Sequence, residues 1–319
     1  PPPAGAGGVV EKAHLTEHAM PRVLFIDSTP DIDPVWKRVH GPSDIPVDVN
    51  MGPVPSEKVP ALVAGYDTVI NDATYFPEET LKACKGLAHI VFLGTGAASF
   101  VDMEAAARLG IKVSTISGYG DTTVAEHAMG LVFAAARHIG TMHALMKAGG
   151  WRPLQGMELR GKTLGVVGLG DIGREMARIA AGIGLNVIAW NRSPRDGAGV
   201  PLVALDDLLG RAHVISLHLG LNDQTRGFLD GAKIAKARRG VIVVNTARAG
   251  VVDEPALLAA LASGQVGHYA TDVYAREPVG PDEPLLREDN VTLTAHAGYN
   301  TPEAAMTMYR RAIDLAAAG

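Results

Sequence analysis

Four side chains in the last quarter of the chain are of types that can handle a carboxylate and a proton. They are Arg248 in V-V-N-T-A-R-A-G-V-V-D-E, Asp272 and Glu277 in A-T-D-V-Y-A-R-E-P, and His296 in T-L-T-A-H-A-G-Y-N-T. An arginine can grip a carboxylate through two parallel hydrogen bonds, which a lysine could not reproduce. A histidine at a strand end beside a carboxylate is suited to trade a proton near neutral pH. Taken singly, each has a plainer reading as a solvated or salt-bridged residue. Their order is what makes them a set. Each follows a short apolar run, Val241–Val244, His268–Val273 or Val291–Thr294, that reads as a buried strand. Ligands of open parallel sheets gather beyond such strand ends.

A glycine-rich turn precedes this set. Leu164, Val166 and Val167 form another apolar run, Gly168, Gly170 and Gly173 punctuate G-L-G-D-I-G, and Ile172, Met176, Ile179, Ala180 and Ile183 then recur at helical spacing. A strand feeding a helix through these glycines is the setting in which G-x-G-x-x-G has mechanical meaning. The first glycine permits the tight turn, the second lets the backbone approach a pyrophosphate, and the third lets helix and strand pack closely. The free N–H groups at the helix start, around Asp171 and Ile172, face the anion. Alone the motif is a weak signal, because glycine-rich turns without a ligand are common. With a second strand at Asn186–Trp190 it reads as a dinucleotide site.

That second strand ends A-W-N-R-S-P-R. An acid here binds the 2′-hydroxyl of NAD and repels the 2′-phosphate of NADP. Asn191 stands in its place, followed by Arg192, Ser193 and Arg195, residue types that bind phosphate. An exposed basic turn is the plain alternative, but the missing acid favours NADP(H) over NAD(H).

The elements that must position these residues alternate along the chain. From Met20, strand candidates at Val23–Ile26, Val47–Val49, Thr68–Ile70, His89–Leu93 and Ile111–Val113 are separated by helix candidates at Pro34–Val39, Ser56–Ala64, Glu78–Ala83 and Met103–Leu109. Strands spaced by helices indicate βαβ units and a parallel sheet. Thr122–Ala148 predicts one long helix before Gly149-Gly150, spanning nearly 40 Å at about 1.5 Å per residue. Beyond it the strands from Leu164 to Thr294, with helices at Asp206–Leu209, Asp230–Ala237 and Glu254–Ala262, read as a doubly wound sheet of about six strands. A last helix, Pro302–Ala318, returns to the first domain. The expected domains are therefore residues 20–120 with 297–319, and residues 121–296. Residues 1–19 are expected to be a disordered arm or a cloning remnant.

Composition narrows the function classes. A net charge of −5 offers no broad basic field for nucleic acid or an anionic membrane. A single cysteine, Cys84, excludes an internal disulfide, and neither C-x-x-C nor H-E-x-x-H occurs, so no metal site is expected. No apolar run reaches membrane-spanning length without glycines or charges. The chain reads as a cytoplasmic α/β protein.

The ordered set of glycine-rich turn, Arg, Glu and His suits hydride transfer and resembles the D-isomer-specific 2-hydroxyacid dehydrogenase family. The resembling blocks are V-V-G-L-G-D-I-G-R at 166–174, N-T-A-R-A-G-V-V-D-E at 245–254, D-V-Y-A-R-E-P at 272–278 and T-A-H-A-G-Y-N-T at 294–301. T-V-A-E-H-A at 123–128 and G-T-G-A-A-S-F-V-D at 94–102 are similar to the family's hinge and substrate loop. The resemblance implies two Rossmann-like domains, a doubly wound cofactor domain and a smaller flavodoxin-like substrate domain, and a homodimer to which Trp151–Glu158 contributes. It implies that Arg248 binds the carboxylate and carbonyl of a 2-oxo acid, and that His296 is the acid that protonates the developing alkoxide. Glu277 would pair with His296 and hold it protonated, since a neighbouring negative charge favours imidazolium. Asp272 would bind the nicotinamide carboxamide, His218, Thr246 and Ala247 would line the cofactor, and the N–H groups of Thr95 and Gly96 would meet the substrate carboxylate.

Glutamate at 277, where formate dehydrogenases of the family carry glutamine, points toward small hydroxy acids such as those formed from glyoxylate or hydroxypyruvate. The sequence departs from the family's pattern at Ala249, Ala295 and Gly220, where Gly, Pro and Pro are usual, and in a substrate loop one residue longer, with Ala98 and Ser99 at the usual acidic position. Two alternatives stay open: a dinucleotide-sensing, corepressor-like binding protein, and an enzyme of the phosphoglycerate dehydrogenase kind.

Overall fold

Buried parallel strands need apolar side chains on both faces, and the runs of Val, Ile and Leu in this chain supply them. The computed structural model describes residues 20–193 and 199–319. They form two units: the first ends at Ser117 and resumes at Met306–Gly319, and the second runs Gly118–Ala305. The turn carrying His296 and the start of the last helix thus belong to the second unit. Among the described residues no helix is long and apolar enough to cross a membrane.

The first unit holds β1 (Val23–Ser28), α1 (Asp33–Val39), β2 (Val47–Met51), α2 (Val59–Leu62), β3 (Thr68–Asn71), α3 (Glu78–Ala83), β4 (His89–Phe92), α4 (Met103–Arg108) and β5 (Lys112–Thr115). Its sheet is all parallel in the order β2-β1-β3-β4-β5, the flavodoxin-like arrangement. The helix expected over Ser56–Ala64 is shorter. Pro60 is tolerated only in a first turn, so α2 starts at Val59.

The second unit holds α5 (Asp121–Arg137), α6 (Ile139–Lys147), β6 (Thr163–Val167), α7 (Asp171–Gly182), β7 (Asn186–Trp190), α8 (Leu205–Arg211), β8 (Val214–Leu217), α9 (Gly231–Lys236), β9 (Val241–Asn245), α10 (Glu254–Ser263), β10 (Val266–Thr271) and β11 (Val291–Leu293); α11 (Pro302–Ala318) begins in it. Its parallel sheet runs β11-β10-β9-β8-β6-β7. The carboxyl ends are in register: Trp190 pairs with Val167, Val167 with Leu217, Leu217 with Asn245, Asn245 with Thr271, and Thr271 with Leu293. Alanines 125, 128 and 135 of α5 share a buried cluster with Met176, Ala177 and Ala180 of α7, small side chains that let the two helices approach.

The single helix expected over Thr122–Ala148 is two. His138 takes a left-handed conformation, φ 53°, and ends α5. This geometry costs a residue with a Cβ roughly 1–2 kcal/mol. The edge-on packing of its ring against His268, centroids 5.8 Å apart, offsets part of that cost.

Two buried histidines hold analogous positions in the two sheets. His89 Nε2 meets Ser114 Oγ at 2.8 Å and His268 Nε2 meets Thr292 Oγ1 at 2.9 Å, while neither Nδ1 has a partner. Burial, assisted by Lys112 for His89 and His138 for His268, pushes each imidazole down to about 4. The unfolded chain therefore binds more protons than the folded one between pH 6.5 and 4. Their contribution is complete above about 6.5 and is lost as pH falls toward 4, at most about 3 kcal/mol per histidine. The urea midpoint is expected to fall from pH 7 to pH 4.5, and a His89→Asn/His268→Asn variant should show a shallower fall. An unchanged slope would assign the effect to other groups.

Candidate active site

Each described candidate residue of the second unit lies just past the aligned row of strand ends. Gly168, Asn191, His218, Thr246, Asp272 and Thr294 are the first residues beyond Val167, Trp190, Leu217, Asn245, Thr271 and Leu293. Arg248, Glu277 and His296 follow within a few residues of that row.

The three glycines are not equivalent. At Gly168, φ 97°, a Cβ would stand 2.4 Å from the His218 carbonyl oxygen, and at Gly173 it would stand 2.1 Å from the Gly168 carbonyl oxygen. The protein's own packing requires both. A Cβ on Gly170 would meet nothing within 4 Å, so the space before the N-terminus of α7 is open where the helix's first N–H groups point outward. Asp171 is exposed at the first helical position, and Ile172 packs on the core. The Thr246 hydroxyl is buried with no partner. An open glycine cradle and an orphaned buried hydroxyl fit a dinucleotide. Ala247 N donates to Asn245 Oδ1, and burial pushes His218, bonded through Nε2 to Ser216 Oγ, down to about 4, which keeps it neutral.

At the end of β7, Asn191 joins two loops: Leu169 N donates to its Oδ1 at 3.1 Å, and its Nδ2 donates to Ser193 O at 2.8 Å. The Arg192 guanidinium donates to Gln224 Oε1, and Ser193 is exposed. Arg195 lies outside the described residues.

Arg248 is exposed, with Nη1 donating to Ala247 O at 2.6 Å. Its loop is held by Asn245, fully buried, whose Nδ2 donates to the Arg248 carbonyl at 3.0 Å. Glu277 and His296 are brought together, with Nδ1 of the ring 2.6 Å from Glu277 Oε2. The other Glu277 oxygen accepts from Tyr274 N at 2.9 Å. An ionised carboxylate only accepts, so Nδ1 carries the hydrogen of this bond and Nε2 is the nitrogen left to exchange a proton.

His296 is left-handed, φ 50°, and the turn is tied down around it. Asp272 accepts from Thr294 Oγ1 at 2.6 Å, Ala297 N at 2.9 Å and Gly298 N at 2.8 Å. His127 Nε2 lies 2.9 Å from Thr294 Oγ1 and 3.4 Å from Asp272 Oδ1. Burial works against the Asp272 charge, but the bonds from His127, Thr294 and the two N–H groups outweigh it and hold the carboxyl down at about 2. Asn245, His127, Tyr274 and Thr294 were not singled out as site residues by sequence reasoning. A polar side chain at a strand end that bonds its neighbours leaves no periodic signal.

In the first unit, Thr95 is exposed after β4, and Gly96 opens a short 3₁₀ turn, Ala97–Ser99. Among the described residues neither N–H has an acceptor.

Residues 129–298 match the family model described as D-isomer specific 2-hydroxyacid dehydrogenase, NAD binding domain. The hydroxypyruvate reductase of Thermotoga maritima is 40% identical over 241 residues, 74% of this chain and 78% of that protein. The D-3-phosphoglycerate dehydrogenase of Archaeoglobus fulgidus is 39% identical over 246 residues, 75% of this chain and 46% of that protein. The chain spans about half the length of the phosphoglycerate dehydrogenases it matches. The apo-structure of D-lactate dehydrogenase from Escherichia coli superposes with a TM-score of 0.82 at 28% identity, covering 92% of this chain and 95% of that one. With its glycine cradle, its histidine–carboxylate pair and these likenesses, the chain belongs to the D-isomer specific 2-hydroxyacid dehydrogenase family.

Proposed function

We propose that the protein transfers a hydride between NADP(H), in preference to NAD(H), and a small 2-oxo or D-2-hydroxy acid such as glyoxylate or hydroxypyruvate. The observation that carries this reading is the 2.6 Å pairing of His296 with Glu277 through Nδ1, which leaves Nε2 to work on a substrate. The bound nicotinamide supplies or receives the hydride. Arg248, whose fork is exposed apart from one bond to its own chain, grips the substrate carboxylate and polarises the carbonyl. His296 gives its Nε2 proton to the carbonyl oxygen as negative charge builds there, and Glu277 stabilises the imidazolium that makes this possible. In the reverse direction the same nitrogen takes the hydroxyl proton. In the first unit, the N–H groups of Thr95 and Gly96, without acceptors among the described residues, suit a carboxylate. About two lone-pair sites lie on each carboxylate oxygen, and Asp272 Oδ2, which accepts from Gly298 N, keeps the other for the carboxamide.

The cofactor preference rests on Asn191, a neutral side chain where an acid would repel a 2′-phosphate, with Arg192 beside it. One assay tests both parts: turnover of glyoxylate, hydroxypyruvate and 3-phosphohydroxypyruvate with NADPH and with NADH. Reduction of the unphosphorylated acids with a preference for NADPH is expected. A strong preference for NADH would overturn the cofactor assignment, turnover of the phosphorylated acid alone would favour a phosphoglycerate dehydrogenase, and cofactor binding without turnover would favour a sensor. In the same assay Asn191→Asp should move the NADPH/NADH ratio of kcat/KM toward NADH by about tenfold or more, the scale of one charge at close range. An unchanged ratio would remove Asn191 as the selector.

We also propose a homodimer. Helix α6 buries none of its residues, Ile139 and Met146 are exposed on it, and Trp151 just beyond is 84% exposed, an apolar surface of the kind a second copy covers. Light scattering should give twice 33.3 kDa. A monomer mass would refute the dimer.

A further inference from the structure

Tyr274 bonds to one half of the histidine–carboxylate pair and to the strand end that leads into the other. Its peptide N–H donates to Glu277 Oε1 at 2.9 Å, and its phenol donates to the Thr294 carbonyl at 2.7 Å, two residues before His296. On the far side of His296, Asp272 holds the N–H groups of Ala297 and Gly298. The left-handed His296, φ 50°, is thereby bracketed in front and behind. A residue with a Cβ persists in that conformation only when its surroundings over-determine it. Neither the glycine-rich turn nor Arg248 contributes to the bracket. The half-buried ring packs on the core of the second unit, so the hydroxyl reaches Thr294 from a fixed base. Burial, then the Asp272 charge, push the phenol well above its ordinary value, and it stays a donor.

We infer that Tyr274 is the positioning residue of the catalytic pair: its N–H sets the Glu277 carboxylate, and its hydroxyl sets the Thr294 carbonyl at the strand end that leads into His296. Nε2 of His296 thereby stays aimed at the substrate. This inference rests on the acid–base role proposed above for His296. The ring alone would fill the same space, so the hydroxyl is the part that matters.

Tyr274→Phe removes only that hydroxyl and keeps the ring and the peptide N–H. The expected result is a fall of about tenfold in kcat, the scale of a small misplacement of a reacting group, with KM for cofactor and the melting midpoint close to wild type. Because Tyr274 acts through the pair, Tyr274→Phe made in a Glu277→Gln background should lower kcat little further. A second readout needs no turnover. In the proton NMR spectrum of the unliganded protein, the His296 Nδ1–H bonded to Glu277 should give a slowly exchanging downfield resonance, absent in His296→Asn and weakened or lost in Tyr274→Phe. Wild-type kcat with an unchanged resonance, or effects that simply multiply with Glu277→Gln, would overturn the inference. If the wild-type protein turned over no 2-oxo acid, the proposed function would fail, while the resonance would still decide whether Tyr274 sets the pair.

Discussion

His296→Ala is expected to lower kcat by roughly 100- to 10,000-fold, the range that a positioned general acid supplies, with cofactor affinity within a few-fold of wild type. The side chain lost is the one whose Nδ1 is fixed by Glu277 and whose Nε2 is left for the proton. The glycine cradle at 168–173 and the Asn191 contact stay as they are, being built from other strands of the sheet. Alanine keeps a Cβ at φ 50°, so the variant neither relieves nor adds backbone strain, and a loss of activity reports the imidazole. Steady-state kinetics with a 2-oxo acid, beside a fluorescence titration of NADPH, measures the two quantities separately. Near-normal turnover would refute the role of His296, and an equal loss of cofactor binding would make it a structural residue.

Gly173→Ala should unfold the second unit more easily and abolish dinucleotide binding. The new Cβ would lie 2.1 Å from the Gly168 carbonyl oxygen, a backbone atom that cannot swing aside as the end of a long side chain does. Either α7 lifts from β6 or the glycine-rich turn opens, at a cost of about 2–3 kcal/mol, typical of overpacking. For a unit of this size that is a fall of roughly 5–10 °C in melting midpoint. Gly170→Ala is the contrast, because its Cβ meets nothing within 4 Å. It should melt like wild type yet bind NADPH more weakly, since the methyl occupies the space left for the pyrophosphate. Wild-type affinity in Gly170→Ala would mean that the cradle is not the binding surface.

The sheets were legible because parallel strands covered on both faces must be apolar throughout. Ile242 and Val243, for example, sit between Val241 and Val244 with no polar neighbour to blur the run. Breaks that depend on a single backbone angle were not legible. His138 ends α5 with neither glycine nor proline at the position, and the ring it packs against edge-on, His268, lies 130 residues further along the chain. The same holds around the candidate site. Arg248, Glu277 and His296 stand out by type and order, but Tyr274 and Asn245 bond to groups carried by neighbouring strands, the Thr294 carbonyl and the Tyr269 hydroxyl. Such bonds exist only once β9, β10 and β11 are in register.

That register spreads the candidate residues along one edge, with Asn191 past β7 at one end and His296 past β11 at the other. Five strand spacings separate them, about 24 Å at roughly 4.8 Å each, well beyond the 7–10 Å or so within which substitutions usually couple. Under the proposed function, choice of dinucleotide and acid–base chemistry would thus be independent traits of the molecule. A single loop at one margin can be exchanged, by selection or by design, while the other margin keeps its reaction unaltered.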